Sequence, residues 1–96
     1  MHTHFLGIDI AKSKFDCALV RPDGKVRNKV LTNNALGFAQ LLTWLDGHGL
    51  TSGELSQLHI CMEATGIYWE ALAEFLSDQG IVVSVINPAQ IKSYGA

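Results

Sequence analysis

The sequence predicts an α/β fold with a mixed sheet of five strands, in the chain order β-β-β-α-β-α-β. Three observations point to it. The first third of the chain contains short apolar or alternating segments typical of strands, two later segments repeat apolar residues every three or four positions as helices do, and a Pro-Asp-Gly turn separates two of the early strands. A chain of 96 residues is long enough for one domain, which we expect over residues 1–96.

The first three predicted strands form an antiparallel meander. Residues 4–10 are almost entirely apolar, which predicts a strand covered on both faces, and residues 15–20 form a second strand. The turn at residues 21–24 leads into residues 25–31, where polar and apolar side chains alternate as in a half-exposed edge strand. Because the connections are short, neighbouring strands are expected to pair antiparallel.

A helix follows the meander. Apolar residues recur at helical spacing from Asn34 to Gly47 or Gly49, and the glycines are suited to end a helix. Three consecutive residues are candidate N-caps, namely Thr32, Asn33 and Asn34.

The second half of the chain alternates strands and helices. Residues 58–63 read as a buried strand, a second helix runs from residues 64–66 to Gly80, and residues 81–86 form a fifth strand. A third helix is predicted to begin at residues 87–88, and the chain ends about two turns later, which predicts a fragment of a longer protein. This order of elements is that of ribonuclease H-like folds, in which the first and fourth strands lie side by side and parallel.

The composition excludes several classes of protein. Hydrophobic residues make up 48% of the chain and charged residues 17%, which is not the composition of a disordered chain. The apolar runs are far shorter than the roughly 20 residues that span a bilayer, and the N-terminus does not resemble a signal peptide. We therefore expect a cytoplasmic protein without a membrane partner, with Cys17 and Cys61 as buried free thiols.

The charges are distributed unevenly along the chain, although the net charge is only −2. All basic residues except Lys92 fall between Lys12 and Lys29, whereas the region between Asp46 and Asp78 is acidic. A basic N-terminal third predicts contact with a polyanion, and the candidate nucleic-acid contacts are Lys12, Lys14, Arg27 and Lys29. The alternative is a lysine-protected edge strand.

Two acidic residues lie at the carboxyl ends of predicted strands: Asp9 is near the end of the first, and Glu63 ends the fourth. If these strands are parallel neighbours, both side chains reach the crevice at the carboxyl ends of the strands, where open α/β sheets bind ligands. Burial of an unpaired carboxylate is costly, and two carboxylates repel each other, so we expect a divalent cation between them. Oxygen ligands suit Mg²⁺ or Mn²⁺, which would support reaction at a phosphodiester.

Neighbouring residues have competing interpretations. Asp9 and Glu63 could instead cap the turn and the helix that follow them. Gly66 and Tyr68 lie at the predicted N-terminus of the second helix, where free amides could bind a phosphate, although core packing of Tyr68 is an equal alternative. Asp16, on the hairpin, is expected to face solvent.

The chain resembles a known family in three blocks, FLGIDIAKSKFDCALV, MEATGIYWEALAEFL and VVSVINPAQIKSYGA. They are similar to the N-terminal domain of a bacterial insertion-sequence transposase family, the family numbered one hundred and ten. The catalytic domain of that family resembles RuvC-type Holliday-junction resolvases. The three blocks occur in the same order and cover essentially the whole chain.

The resemblance implies a set of four Mg²⁺-binding carboxylates, Asp-Glu-Asp-Asp, in which Asp9 matches the first and Glu63 the second. The last two, and a domain with a nucleophilic serine, would lie beyond residue 96. The resemblance also implies a multimer that cuts and rejoins DNA at element ends and target, and part of the family uses an element-encoded guide RNA. The 96 residues alone are expected to be catalytically incomplete.

Two alternatives from other functional classes remain open. An actin-like or sugar-kinase ATP-binding domain shares the meander, but its first hairpin carries small residues around the ATP phosphates, whereas residues 11–14 here include two lysines. A non-catalytic scaffold would bind nucleic acid through the basic residues alone. It predicts salt-dependent binding that survives the Asp9→Asn substitution.

Overall fold

The structure is a computed structural model, and it describes residues 2–64 and 66–86. Within them, no helix is both long and apolar enough to cross a membrane. Thr65 and the predicted third helix lie outside the described residues. The elements in chain order are β1 (His4–Ile10), β2 (Lys14–Val20), β3 (Val26–Thr32), α1 (Ala35–Gly47), a 3₁₀ turn (Leu55–Gln57), β4 (Leu58–Ala64), α2 (Glu70–Asp78) and β5 (Val82–Ile86).

The five strands form one mixed sheet in the order β3-β2-β1-β4-β5. β1 pairs antiparallel with β2, and β2 with β3, as a meander requires. β4 pairs in parallel with the other edge of β1, and β5 pairs in parallel with β4. The connections into β4 and β5 run through α1 and α2, because parallel neighbours need a long crossover. The predicted sheet, with the first and fourth strands as neighbours, is confirmed.

The hydrophobic core lies on one face of this sheet. In β1 the even-numbered residues from Leu6 to Ile10 are buried, whereas the odd-numbered residues from Phe5 to Asp9 are exposed. The expectation that β1 is covered on both faces is wrong for the described part of the chain, because an apolar run does not distinguish one covered face from two. The buried residues of the sheet form a single cluster with the helices, including Leu41, Leu45, Leu72 and Leu76. We call the other side the open face.

α1 begins at an N-cap provided by Asn34, one of the three predicted candidates. Its side-chain oxygen accepts hydrogen bonds from the Gly37 N–H and from the Thr32 hydroxyl, both at 2.9 Å. Gly37 lies so close to the Thr32 carbonyl that an added Cβ would overlap the oxygen. The first turn of α1 therefore packs directly on the end of β3, which is possible only because residue 37 has no side chain.

α2 begins later than its apolar spacing predicts. Residues 66–69 form a turn in which Gly66 has a φ of 70°, a left-handed conformation that interrupts a helix. The indole N–H of Trp69 closes this turn by donating to the Gly66 carbonyl at 3.1 Å. Tyr68 is consequently exposed rather than part of the buried stripe, which consists of Leu72 and Leu76.

The two free cysteines differ in burial. Cys17 is buried in the core, as predicted, but Cys61 is exposed, so the prediction of two buried thiols is wrong for Cys61. The cause is the alternation of β4, whose odd-numbered residues 61 and 63 are exposed on the open face.

Candidate functional site

Asp9 and Glu63 are neighbours in the sheet. Their Cα atoms are register partners across the parallel pair of β1 and β4, and neighbouring strands lie about 4.8 Å apart. Each is the second-to-last residue of its strand, and both are exposed on the open face. The structure therefore brings these two carboxylates together at the carboxyl ends of two parallel strands.

Their surroundings differ from the expectation in one respect. Both carboxylates are exposed, so the cost of burying a charge gives no reason for a cation here. The competing capping interpretation also lacks support among the described residues. The Ala11 N–H donates to the Lys14 carbonyl at 2.9 Å, and α2 has no side-chain bond at its N-cap.

A third carboxylate, Asp16, extends this row. It is the register partner of Asp9 on the side away from Glu63, and it is exposed on the same face. The three acidic residues line a pocket of about 390 Å³, together with Gly7 and Ala18. The sequence predicted a solvent-facing Asp16 but not this neighbourhood, although the short hairpin turn sets residue 16 opposite residue 9 and could have revealed it.

The donor set fits part of a divalent-cation site. Carboxylate oxygens are the ligands that Mg²⁺ prefers, and two of them from adjacent strands on one face can approach the same ion. Residues 2–64 and 66–86 hold no group of three or more His, Cys, Asp and Glu side chains arranged to bind a metal ion. Among these residues, Asp9 and Glu63 alone do not complete a metal site, and a bound ion would need further ligands.

Two of the predicted nucleic-acid contacts lie near the carboxylates. Lys12 is exposed in the turn between β1 and β2, directly beyond the strand that carries Asp9. Lys14 opens β2 and is exposed, two positions from Asp16 and therefore on the same face. These two lysines flank the carboxylate row.

The other two, Arg27 and Lys29, lie on the opposite face. In β3 they are register partners of Leu19 and Cys17, which face the core. Lys29 lines a groove with side chains of α1 that include Trp44. The structure therefore does not bring Arg27 and Lys29 together with the carboxylates, because alternation in an edge strand does not say which half of its residues faces the helices.

Arg27 and Arg21 form a basic area near His48, at the C-terminal end of α1. Partial burial lowers the pKa of His48, and the charges of Arg21 and Arg27 lower it further. The ring of Trp44 contacts His48 edge-on, with ring centres 5.1 Å apart. The charges of this area are separated from the carboxylates by the sheet itself.

Gly66 and Tyr68 lie in the turn before α2, not in its first turn. That first turn contains Glu70, whose charge opposes the approach of a phosphate to the helix N-terminus. Any phosphate contact made by Gly66 or Tyr68 would therefore use the turn and not the helix. The Asn33 amide donates to the carbonyls of both Lys12 and Tyr68, which places this turn beside the turn that contains Lys12.

Comparison with known proteins gives a family match over nearly the whole chain. A family model described as a transposase, of the DEDD type of the IS110 group, matches residues 6–96. Two curated relatives, both named pilin gene-inverting protein, come from Moraxella lacunata and Moraxella bovis. Each is 38% identical over 94 residues, which are 98% of this chain and 28% of the relative. The chain thus spans only 28% of the length of these relatives.

Two solved structures share the fold. YeaZ from Pseudomonas aeruginosa superposes with a TM-score of 0.59 at 14% identity, covering 88% of this chain and 44% of YeaZ. RuvC from Thermus thermophilus superposes with a TM-score of 0.56 at 16% identity, covering 93% of this chain and 66% of RuvC. At these identities the likeness concerns the fold, and the predicted ribonuclease H-like class is confirmed.

Proposed function

The chain belongs to the IS110 group of DEDD transposases, and from that membership we propose that residues 1–96 are the N-terminal, RuvC-like part of a transposase catalytic domain. The longer protein would cleave DNA and transfer strands during transposition of an insertion sequence. The single observation that supports this most is the register of Asp9 with Glu63 on the open face.

Asp9 and Glu63 are proposed as the first two of four metal-binding carboxylates. When bound, Mg²⁺, or Mn²⁺ in its place, would activate the attacking oxygen and stabilise the leaving oxygen at a phosphodiester. The chain supplies two carboxylates at paired positions of adjacent strands, so the sheet sets the spacing of the two Cα atoms. The other two carboxylates and the serine domain are proposed to follow residue 96.

The DNA backbone is proposed to approach over the turns at the carboxyl ends of β1 and β4. Lys12 and Lys14 would offset the charge of DNA phosphates next to the acidic row. The exposed turn with Gly66 and Tyr68 would contact the same DNA backbone. Arg27 and Lys29 would contact nucleic acid only on the other face of the sheet. The proposed partners are thus the DNA ends of the element and the target DNA. The protein is proposed to act as a multimer in the bacterial cytoplasm. A guide RNA is a further partner to test.

The test uses the full-length protein with the substitutions Asp9→Asn and Glu63→Gln. Each keeps the side-chain shape but weakens a metal ligand, so strand cleavage should fall by about 100-fold or more while the melting temperature stays near that of the parent. Asp46→Asn and Glu74→Gln are matched controls, because both are exposed acids on helices away from the row. Cleavage at the parent rate in either site variant would refute the metal-site assignment.

The same variants separate the competing functions. Binding of DNA that depends steeply on salt, survives Asp9→Asn and is never followed by cleavage would indicate a non-catalytic scaffold. A rise in melting temperature on addition of ATP would indicate an ATP-binding domain.

A further inference from the structure

Asn33 joins the two turns that follow the candidate carboxylates. One turn connects β1 to β2, directly after Asp9, and the other precedes α2, shortly after Glu63. The side-chain amide of Asn33 donates to the Ala11 carbonyl at 2.9 Å and to the Tyr68 carbonyl at 3.0 Å. A primary amide has two N–H donors, which are enough to bond to both turns at once.

The backbone of Asn33 strengthens the same connection. Its N–H donates to the Ser13 carbonyl at 3.0 Å, so main chain and side chain both contact the β1–β2 turn. A weaker contact of the amide, at 3.5 Å, reaches the Lys12 carbonyl. These bonds link segments that are 22 and 35 residues away from Asn33 in sequence.

Capping of α1 does not explain Asn33. The helix takes its cap from Asn34, whose side chain bonds to the Gly37 N–H. The amide of Asn33 is directed instead toward the end of the sheet where β1 and β4 terminate. This half-buried amide therefore bridges the two turns directly.

We propose that Asn33 is a positioning residue that holds the β1–β2 turn and the turn before α2 at a fixed separation beside Asp9 and Glu63, so that both turns contact one DNA backbone together. This inference rests on the proposed function, because the candidate DNA contacts Lys12 and Tyr68 lie in those turns. Among the described residues, no hydrogen bond joins Asn33 to Asp9 or Glu63, so its proposed role is to position the turns.

The test compares Asn33→Asp with Asn34→Asp in the full-length protein. Both substitutions are nearly isosteric and add one negative charge at adjacent positions. The carboxylate at position 33 has no donor for the two carbonyls, whereas a carboxylate at position 34 still accepts from the Gly37 N–H. Asn33→Ala removes the donors without adding charge.

Three measurements are made on each variant. Hydrogen–deuterium exchange should rise in both turns, around residues 11–13 and 66–69, for the two Asn33 variants and not for Asn34→Asp. The Kd for an element-end DNA duplex should rise about tenfold, which corresponds to about 1.4 kcal/mol. Cleavage at saturating DNA and Mn²⁺ affinity should stay within about twofold of the parent, a separation that general destabilisation would not produce.

Several outcomes would overturn the proposal. One is increased exchange in only one of the two turns of the Asn33 variants. Another is an unchanged Kd although both turns exchange faster. The third is an equal loss of DNA binding in Asn34→Asp, which would make the added charge the cause. If the parent protein binds no DNA, the proposed function fails on its own. The exchange data then still decide whether Asn33 joins the two turns.

Discussion

Single side chains on the two faces of the sheet meet opposite physical conditions. Cys17 is buried among apolar neighbours, and burial, with a smaller contribution from the charge of Asp16, raises the pKa of its thiol to about 12. Cys61, on the open face, is exposed. The same residue type is thus a core hydrophobe in β2 and a surface group in β4.

The buried thiol predicts a loss of stability in alkali. The folded protein retains the proton of Cys17 up to about pH 12, whereas the unfolded chain releases it near its ordinary pKa of 9.0. Between these values the unfolded state gains, so this residue should lower the free energy of unfolding by about 1.4 kcal/mol per pH unit. Below pH 9 the contribution is constant.

Urea unfolding from pH 8 to pH 10.5 measures this effect. The slope of stability against pH should flatten in Cys17→Ala relative to the parent, although the variant is less stable throughout. Cys61→Ala is the matched control, because it removes the exposed thiol and leaves the buried one in place. An identical slope in parent and Cys17→Ala would contradict the assigned burial.

At the level of elements, contact between α1 and β3 depends on one glycine. Gly37→Ala would place a methyl group on the Thr32 carbonyl, and backbone cannot move aside as a flexible side chain does. The strain should exceed the gain in helix propensity and lower the free energy of unfolding by about 2 kcal/mol, measured by urea denaturation.

Gly47 provides the comparison for this helix. It also lies in α1, but no atom is within 4 Å of an added Cβ. Gly47→Ala should therefore change stability by no more than about 1 kcal/mol, in the stabilising direction. Equal losses in both variants would mean that α1 does not pack against β3 as described.

The sequence predicts which strands pair better than it predicts which face of the sheet the helices cover. The order of elements and the short hairpin turns are sufficient to place β1 beside β4, because few connections satisfy both. Apolar runs do not show which side of the sheet the helices cover. For this reason the prediction that β1 is covered on both faces is wrong for the described residues. Charge alone groups Arg27 and Lys29 with Lys12 and Lys14. The register of β3 puts Arg27 and Lys29 on the other face of the sheet.

Long-range hydrogen bonds were the least predictable feature. The run Thr32–Asn34 predicts a capping region, and Asn34 does cap α1. Nothing in the local sequence says that Asn33 reaches Ala11 and Tyr68, because those contacts exist only after the sheet has formed. The late start of α2 is also hard to predict, because the apolar spacing already begins at Tyr68, whereas residues 66–69 form a turn in which Gly66 has a positive φ.

On the scale of the whole molecule, the sheet separates two chemical environments. The core and both helices occupy one face, with the basic area around Arg27 at its edge. The open face carries the row of Asp16, Asp9 and Glu63 at the end where β1 and β4 terminate. A metal-dependent reaction at this row would therefore take place on the face that α1 and α2 do not cover.

The most direct test of the proposed metal site is a crystal structure of the full-length protein grown with Mn²⁺, using anomalous scattering to locate the ion. We predict one Mn²⁺ with a carboxylate oxygen of Asp9 and one of Glu63 each about 2 Å away. An ion bound elsewhere, or carboxylates that turn away from each other with no ion between them, would contradict the metal-site assignment.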